Sequence, residues 1–403
     1  TGGGNYGRGK GDGESTTYRH SHIGNKGSQT VLQSGGDTTL RGAQIAGKGI
    51  RADVQNLSIK SVQDTAAYQS RQKSGGAQIS AGYGVGINGH YRQSQLNADH
   101  RSFSGNAEYS QSKTDADHLS ASEQSGLYAG DDGFQVAVSR HTELNGGLIT
   151  SSQSAEDNGK NHFSTGTLGF GDLHNHSHYQ GESLGMDAGI SISGKTLGQK
   201  SNAQPDDKIR LLNVADKNGT SQGIGYGSDS DRQESVTRSG INTSNLRITD
   251  EAGQIRQTGL TAEETRAKVS TGTTTESAQT DAGSLHNRFD KERVENEINL
   301  QRNVSQNFGH NVQQANGEIN RHLDHLKEQL QQGKISQAEY DRQITLWQRG
   351  QVLLNSIASG LSAPTQSSAG IAANAVSPAV SYQIGQYFKG LAANNDDGRM
   401  ICF

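Results

Sequence analysis

The chain has 403 residues, with 53 glycines, three prolines and a formal net charge of −4 at pH 7. Average proline usage of about 5% would give roughly 20 prolines. Because proline blocks the hydrogen bonds of strands and helices, its scarcity favours a chain that is mostly sheet and helix. The small negative charge predicts no nucleic-acid partner and no strong attraction to an anionic membrane.

The apolar content is low, since hydrophobic residues make up 30% of the chain. A thick globular core is therefore not expected, whereas a repetitive fold needs only one thin apolar file in each repeat. Partial disorder is the alternative, because glycine, serine, glutamine and asparagine also favour disorder. The apolar positions are patterned rather than absent, which favours an ordered chain.

The single cysteine, Cys402, excludes an internal disulfide bond. A cytosolic protein and a secreted protein that does without disulfides both remain compatible with this. The sequence shows no signal peptide and no run long enough to span a bilayer. Because residue 1 is Thr1 in a glycine-rich tract, we expect an interior fragment of a longer protein.

An 18-residue echo is the clearest repeat, because residues 91–102 return in similar form as residues 109–120. A period near 20 residues is about one coil of a parallel β-solenoid, in which stacked coils bury a common core. The echo therefore predicts a repetitive β-solenoid over residues 1–200. It favours a long rod over a catalytic pocket, and we expect no catalytic residues and no cofactor.

A second echo places leucine, glycine and isoleucine at matching positions. Thr38, Leu40, Gly42 and Ile45 return as Thr142, Leu144, Gly146 and Ile149. Residues 57–60 and 134–138 alternate apolar with polar residues, which is typical of half-buried strands. We expect the apolar members of these patterns to form the structural core and glycine to permit the corners between strands: Leu40, Ile45, Leu57, Ile59, Leu144 and Ile149.

Residues 201–283 form a mixed polar region in which 209–214 and 245–249 predict short strands. Thr261 and Glu264 predict a capping box that begins a helix, and 270–280 resembles a linker. Residues 284–361 carry apolar side chains at helical spacing, and Gly333 predicts the turn between helices. Residues 362–403 form a tail rich in small apolar residues, and its last ten residues differ in composition from the rest.

His174, His176 and His178 are the strongest candidates for a metal site. Alternate residues of a strand share a face, so the three imidazoles would point the same way. The outer two would lie about 13 Å apart, so any ion would need a ligand from a neighbouring segment. His100 and His118, one repeat apart, could stack in that manner. The alternative is a solvated polar face with surplus histidines. Because spacing alone rarely makes a metal site, this alternative is favoured and the sequence predicts no bound metal.

Two other motifs are rejected as catalytic or nucleotide-binding sites. Residues 4–10 resemble a phosphate-binding loop, but Gly11 stands where Ser or Thr should bind magnesium, which favours a flexible glycine-rich segment. The pairs Asp99–His100 and Asp117–His118 suggest catalytic dyads. Neighbouring residues of a strand face opposite sides, and no nucleophile signature accompanies them.

Several segments together resemble the haemagglutinin repeat of filamentous-haemagglutinin-type exoproteins: 36–46, 56–61, 125–130, 144–152, 239–243, 248–253 and 289–294. Residues 377–389 resemble the start of the pretoxin region in family members that act in contact-dependent growth inhibition. Residues 294–297 resemble the boundary motif before such toxins, but they stand far too early. The resemblance covers the chain up to about residue 391 and implies a missing toxin, through truncation or frameshift.

This resemblance implies a secreted, surface-associated stalk that presents or delivers a C-terminal toxin to neighbouring cells. The implied partners are an outer-membrane transporter of two-partner secretion, a target-cell receptor or glycan, and the target cell's outer membrane. The rival interpretation is a host-cell adhesin whose outward face, including Tyr91 and Tyr109, binds glycan or receptor. A metal-binding module is a third interpretation.

Overall fold

The computed structural model of the chain describes residues 1–87, 96–194 and 219–361. Within these ranges the chain is mainly β, and two long helices follow the last strand. The expected fold class, a mainly β chain followed by a helical segment, is confirmed at this level. The strand predicted over 209–214 and the tail of residues 362–403 lie outside the described residues.

Thirteen strands are present in the described part of the chain. In order they are β1 (Gly2–Thr16), β2 (Ser21–Asn25), β3 (Thr30–Arg41), β4 (Ala43–Lys60), β5 (Asp64–Ile87), β6 (Leu96–Ser120), β7 (Gly126–Asn145), β8 (Leu148–Thr150), β9 (His162–Gly171), β10 (Leu173–Gly194), β11 (Gly219–Thr237), β12 (Gly240–Ile241) and β13 (Leu246–Ile248). The short strand predicted over 245–249 is confirmed as β13.

One sheet is parallel and contains eight strands. Strand β4 pairs with β2 and β3 on one side and with β7 on the other. Strand β7 pairs with β8 and β9, which then pair with β12 and β13. Successive segments of the chain are therefore stacked in parallel, as the apolar alternation of these segments suggests.

Apolar side chains form continuous files across this parallel sheet. Leu40 lies opposite Ile59, Ile59 opposite Leu144, and Leu144 opposite Phe170. A second file runs through Ile45, Leu127, Ile149 and Ile241. All six of the core residues named from the sequence lie in the buried apolar cluster of this sheet.

The second echo marks equivalent positions in these files. Its two leucines, Leu40 and Leu144, lie two strands apart in the first file, and its two isoleucines, Ile45 and Ile149, lie two strands apart in the second. Gly42 and Gly146 have φ values of 60° and 59°. This left-handed conformation is readily adopted only by glycine, which explains why the corner after each strand contains it. Residues 134, 136 and 138 all face the core.

The second sheet is antiparallel, with five strands in the order β1-β5-β6-β10-β11. Strands β5 and β6 follow one another between β4 and β7, and β10 and β11 follow one another between β9 and β12. Two long strand pairs are thus inserted between segments of the parallel sheet. The segment expected to be a flexible glycine-rich loop is β1, whose 15 residues pair with β5.

The antiparallel sheet corrects the interpretation of the 18-residue echo. Residues 109–120 and the described end of the first copy lie consecutively on the single strand β6. The copies therefore do not stack as coils, and their similarity reflects the repeated polar pattern of one long strand. Because five of the described strands are antiparallel, the described chain is not a continuous parallel solenoid.

The helices are α1 (Gln153–Asp157), α2 (Glu251–Thr258), α3 (Ala262–Val269), α4 (Ala278–Asp281), α5 (Lys291–Gln331) and α6 (Gln337–Leu361). The predicted capping box is confirmed, since Thr261 and Glu264 each bond the other's backbone N–H at the start of α3. Gly333, with φ of 66°, breaks the chain between α5 and α6 as predicted. These two helices share a small apolar core that includes Ile319 and Trp347.

Residues 270–280 do not behave as a linker. The N–H of Thr271 donates to the carbonyl of Ile241, and the N–H of Thr275 donates to that of Ser151. The segment leads into α4, where Ala278 packs against Tyr128. The Thr275 hydroxyl donates to the carbonyl of Ala129 in the parallel sheet, so a polar composition here accompanies an ordered segment.

Candidate functional site

Helix α5 covers one face of the antiparallel sheet. A Cβ added at Gly181 of β10 would crowd the side chains of Val294 and Ile298, and one added at Gly227 of β11 would collide with the backbone oxygen of Ile298. Glycine therefore allows the helix backbone to lie close to the strands. On this helix-covered face, Tyr179 is buried with Val294 and Ile298.

Side chains of α5 also bond the backbone of β11, the edge strand of the sheet. The N–H groups of Gln222, Tyr226 and Ser228 donate to Gln313, Ser305 and Gln301 at 3.0, 2.9 and 2.9 Å. An unpaired strand edge invites pairing with another chain. The helix therefore closes this edge as well as the face beside it.

A polar cluster anchors the start of α5 to the same face. Arg293 donates to the Tyr179 hydroxyl at 2.9 Å and forms an ion pair with Asp229 at 3.2 Å. Burial raises the pKa of Tyr179 above its usual value, so the hydroxyl stays protonated. Phe289 packs its ring against Tyr179 with centroids 5.9 Å apart. This arrangement fixes the start of α5 on the sheet.

The opposite surface of the sheet, here called the open face, carries the residues that alternate with those under α5. One row crosses all five strands in register: Tyr6, Gly75, Tyr109, Met186 and Ile224. Its large side chains are exposed, with Met186 at 41% and Ile224 at 65%. Leu184 and Ile190 add to this apolar patch. Exposed apolar side chains aligned in this way make the open face a candidate interaction surface.

A second feature of the open face is a group of two imidazoles and a carboxylate. The ligand atoms of Asp117, His176 and His178 all lie within 4.8 Å of one another. His176 Nε2 lies 3.1 Å from Asp117 Oδ2, and the two imidazole centroids are 5.7 Å apart. Asp117 lies directly opposite His178 across the β6–β10 pairing. We call these three residues the histidine cluster.

The sequence identified only part of this cluster. His174 lies outside the group, and its carbonyl accepts a hydrogen bond from Gln63 at 2.7 Å. His100 and His118 lie on one strand, about 60 Å apart along it, so they do not stack. His118 is buried on the helix-covered side, where desolvation lowers its pKa. Asp117 and His118 thus point to opposite faces, as the strand geometry predicts.

A groove of about 810 Å³ runs beside the histidine cluster and includes its three residues in its walls. The other charged residues of its walls are Glu182, Arg232 and Glu234, together with Asp229 and Asp231, which are already paired with Arg293 of α5 and with Arg288 just before it. Arg232 donates to Glu234 at 3.0 Å, and this hydrogen bond holds the pKa of Glu234 below its usual value. The walls therefore carry more carboxylates than arginines, and within the described part of the chain Asp117 and Glu182 are the two wall carboxylates that no arginine pairs with.

Sequence reasoning missed the apolar patch and the role of Asp117 as a partner of the histidines. Leu184 and Met186 are two residues apart, and so are Ile224 and Tyr226. This spacing is typical of side chains on one face of a strand and could have identified the patch. The pairing of Asp117 with His178 spans 61 residues along the chain, and no local signal fixes such a register.

Residues 1–77 match the model of the Hemagglutinin repeat family. This segment includes β1 to β4 and the first part of β5, so it contributes to both sheets. The match bears out the resemblance drawn from residues 36–46 and 56–61. The chain resembles contact-dependent inhibition exoproteins.

Three curated relatives illustrate that likeness. Toxin CdiA of Escherichia coli is 38% identical over 192 residues, which is 47% of this chain and 5% of that protein. tRNA nuclease CdiA of Yersinia mollaretii is 35% identical over 192 residues, 47% of this chain and 6% of the relative. Deoxyribonuclease CdiA of Dickeya dadantii is 35% identical over 170 residues, 41% of this chain and 5% of the relative.

The chain therefore spans about a twentieth of the length of these relatives. No solved structure matches it. Among the described residues, the helices are too short or too polar to cross a membrane.

Proposed function

We propose that this chain is a stalk segment of a secreted, cell-surface exoprotein that delivers a toxin to neighbouring cells. One observation carries the proposal. Relatives that match the chain at 35–38% identity are named for different activities: a tRNA nuclease, a deoxyribonuclease and a 16S rRNA endonuclease. A region shared by proteins with different activities supports a common delivery role rather than any one of those chemistries.

The fold is consistent with such a role. Apolar files through Ile59 and Leu144 give a parallel sheet that can extend by adding further repeats, as a solenoid stalk does. We propose four parts: a haemagglutinin-repeat region at 1–200, a mixed region at 201–283, a helical region at 284–361 and a pretoxin-like tail at 362–403. The expected partners are an outer-membrane transporter of two-partner secretion and a receptor or glycan on the target cell.

A chimera tests this proposal. The region of E. coli Toxin CdiA that matches this chain is replaced by the whole chain, and producing cells are grown with target cells that lack immunity. We expect the chimera to reach the surface and to reduce target growth, while the same CdiA lacking the region reaches the surface without inhibiting. A chimera displayed at normal levels that leaves target growth unchanged contradicts the proposal.

Direct adhesion is the second candidate, and the exposed apolar row of the open face favours it. Tyr109 lies in this row and is 37% exposed, whereas Tyr91 lies outside the described residues. Binding of the purified chain to target cells should fall in a Tyr91→Ala/Tyr109→Ala variant. Tyr18→Ala removes an exposed tyrosine outside the row and serves as the control. Equal binding by both variants excludes Tyr91 and Tyr109 as adhesion contacts.

A further inference from the structure

We propose that Asp117, His176 and His178 bind one divalent transition-metal ion, with Zn²⁺ as the representative, and that the ion joins β6 to β10. The inference rests on the geometry of the histidine cluster and is independent of the proposed function. Neither strand supplies the site alone, since the carboxylate comes from β6 and both imidazoles come from β10.

Strand geometry brings the three ligands together. His176 and His178 are two residues apart, so their side chains share the open face of β10. Asp117 lies directly opposite His178, and paired residues of adjacent antiparallel strands have Cβ atoms about 4.5–5.5 Å apart. The carboxylate therefore lies against both rings, which also explains the 3.1 Å contact between His176 Nε2 and Asp117 Oδ2.

The distances fit an ion after small side-chain movements. Zinc bonds to nitrogen and oxygen at about 2.0–2.2 Å, so two ligand atoms of a tetrahedral site lie about 3.4 Å apart. The contact between His176 and Asp117 is already near that value, and all three ligand atoms lie within 4.8 Å of one another. Rotation of exposed side chains can close the remaining gap without displacing either backbone.

The donor set selects the class of ion. Two imidazoles and one carboxylate suit Zn²⁺, Cu²⁺ and Ni²⁺, whereas Ca²⁺ and Mg²⁺ prefer oxygen ligands. Three protein ligands leave a further position for water on the solvent side. Glu182 adds a carboxylate to the wall of the adjacent groove, and the nearby guanidinium of Arg232 is paired with Glu234.

Such an ion would fasten together the two inserted strand pairs. Asp117 and His176 are separated by 59 positions in the chain, so the unfolded chain does not hold them near one another. A ligand that binds only the folded state stabilises that state in proportion to its occupancy. We therefore expect zinc to raise the unfolding temperature of the chain.

Calorimetric titration of the whole metal-free chain with ZnCl₂ tests the site. We expect one saturable ion per chain and a higher unfolding temperature. His178→Gln and Asp117→Asn should each weaken binding at least about tenfold, since loss of even an outer partner that only orients a ligand costs about 10- to 100-fold. His174→Gln removes an imidazole of the same strand outside the cluster, so this control should bind like the unchanged chain.

Circular dichroism of each variant in EDTA separates a lost ligand from a lost fold. A variant with unchanged unfolding in EDTA and weakened zinc binding supports the site. Absorption of bound Co²⁺ gives a second measurement, because its bands report nitrogen and oxygen ligation directly. The proposal is overturned if the chain takes up no zinc saturably, or if zinc binds equally well after His178→Gln and Asp117→Asn.

Discussion

In the parallel sheet, Ile59 lies opposite Leu144, and both are fully buried. In the antiparallel sheet, Met186 lies opposite Ile224, yet both are exposed. The two pairs are similar in size and in their cross-strand arrangement. They differ in what covers them, because the core cluster encloses the first pair and α5 lies on the other face of the second sheet.

The comparison shows that an apolar file can form without becoming buried. Strand pairing in register is sufficient to form a file in either sheet. Burial requires a second layer, and in the antiparallel sheet that layer is placed over the face containing Gly181 and Gly227. The large apolar side chains are thereby left on the open face, where they are available to a partner.

The largest expected effect comes from truncating the buried file. Leu144→Ala should lower the free energy of unfolding by about 2–5 kcal/mol, because it leaves a cavity in the core. Met186→Ala, in the exposed file, should change it by about 0.5 kcal/mol or less. Urea unfolding of both variants measures the contrast. Equal losses would mean that the open face is covered in solution.

The contact between α5 and the antiparallel sheet should be the next most sensitive feature. Gly227→Ala places a methyl group against the backbone oxygen of Ile298 and should cost about 1–3 kcal/mol, as overpacking does. Gly35→Ala, where an added Cβ meets nothing within 4 Å, is the matched control. Amide hydrogen exchange should become faster across α5 only in the first variant. Unchanged protection of α5 there would exclude this packing.

A smaller effect is expected at the corner of the parallel sheet. Gly146→Ala forces alanine into a left-handed conformation and also against Leu173, whereas Gly159→Ala, at a φ of 63°, meets only the backbone strain. The backbone strain costs about 1–2 kcal/mol at both positions. Gly146→Ala should lower the free energy of unfolding further because of the contact with Leu173. Thermal unfolding of the two variants measures the difference. If Gly159→Ala is equally destabilising, the contact with Leu173 is not part of the corner.

The smallest expected effect is the pH dependence of the cap of α3. Hydrogen bonds from the backbone and hydroxyl of Thr261 lower the pKa of Glu264 below its ordinary value of 4.5. The cap's contribution is therefore present above pH 4.5 and is lost as the pH falls through the lower, folded-state pKa. Exchange of the α3 amides should show this loss, and Glu264→Gln should abolish it. Glu263→Gln, one residue earlier, should keep the pH dependence.

The sequence indicated those features that depend on near neighbours. The alternation around Leu57 and Ile59, the glycine corner at Gly42 and the capping box of Thr261 are each set within a few residues. Each is present where the local pattern placed it. The parallel files could be anticipated because the second echo repeats the same leucine, glycine and isoleucine.

The antiparallel sheet could not be predicted in the same way. Strand β6 resembles two coils because its polar pattern repeats, and only pairing with β5 and β10 shows that it is one strand. The histidine cluster depends on that pairing, since Asp117 meets His178 through the register of two distant strands. Strand register is set by the whole sheet rather than by neighbouring residues.

The direction of β6 tests the contrast between the two sheets most directly. Spin labels are attached at Asn97→Cys and Asp115→Cys, which occupy the same position in the two copies of the echo, in a chain carrying Cys402→Ser. One extended strand separates these positions by about 60 Å, and pulsed electron resonance should report a distance well above 40 Å. Stacked coils would place the two backbones about 5 Å apart, and a short distance would contradict the antiparallel sheet.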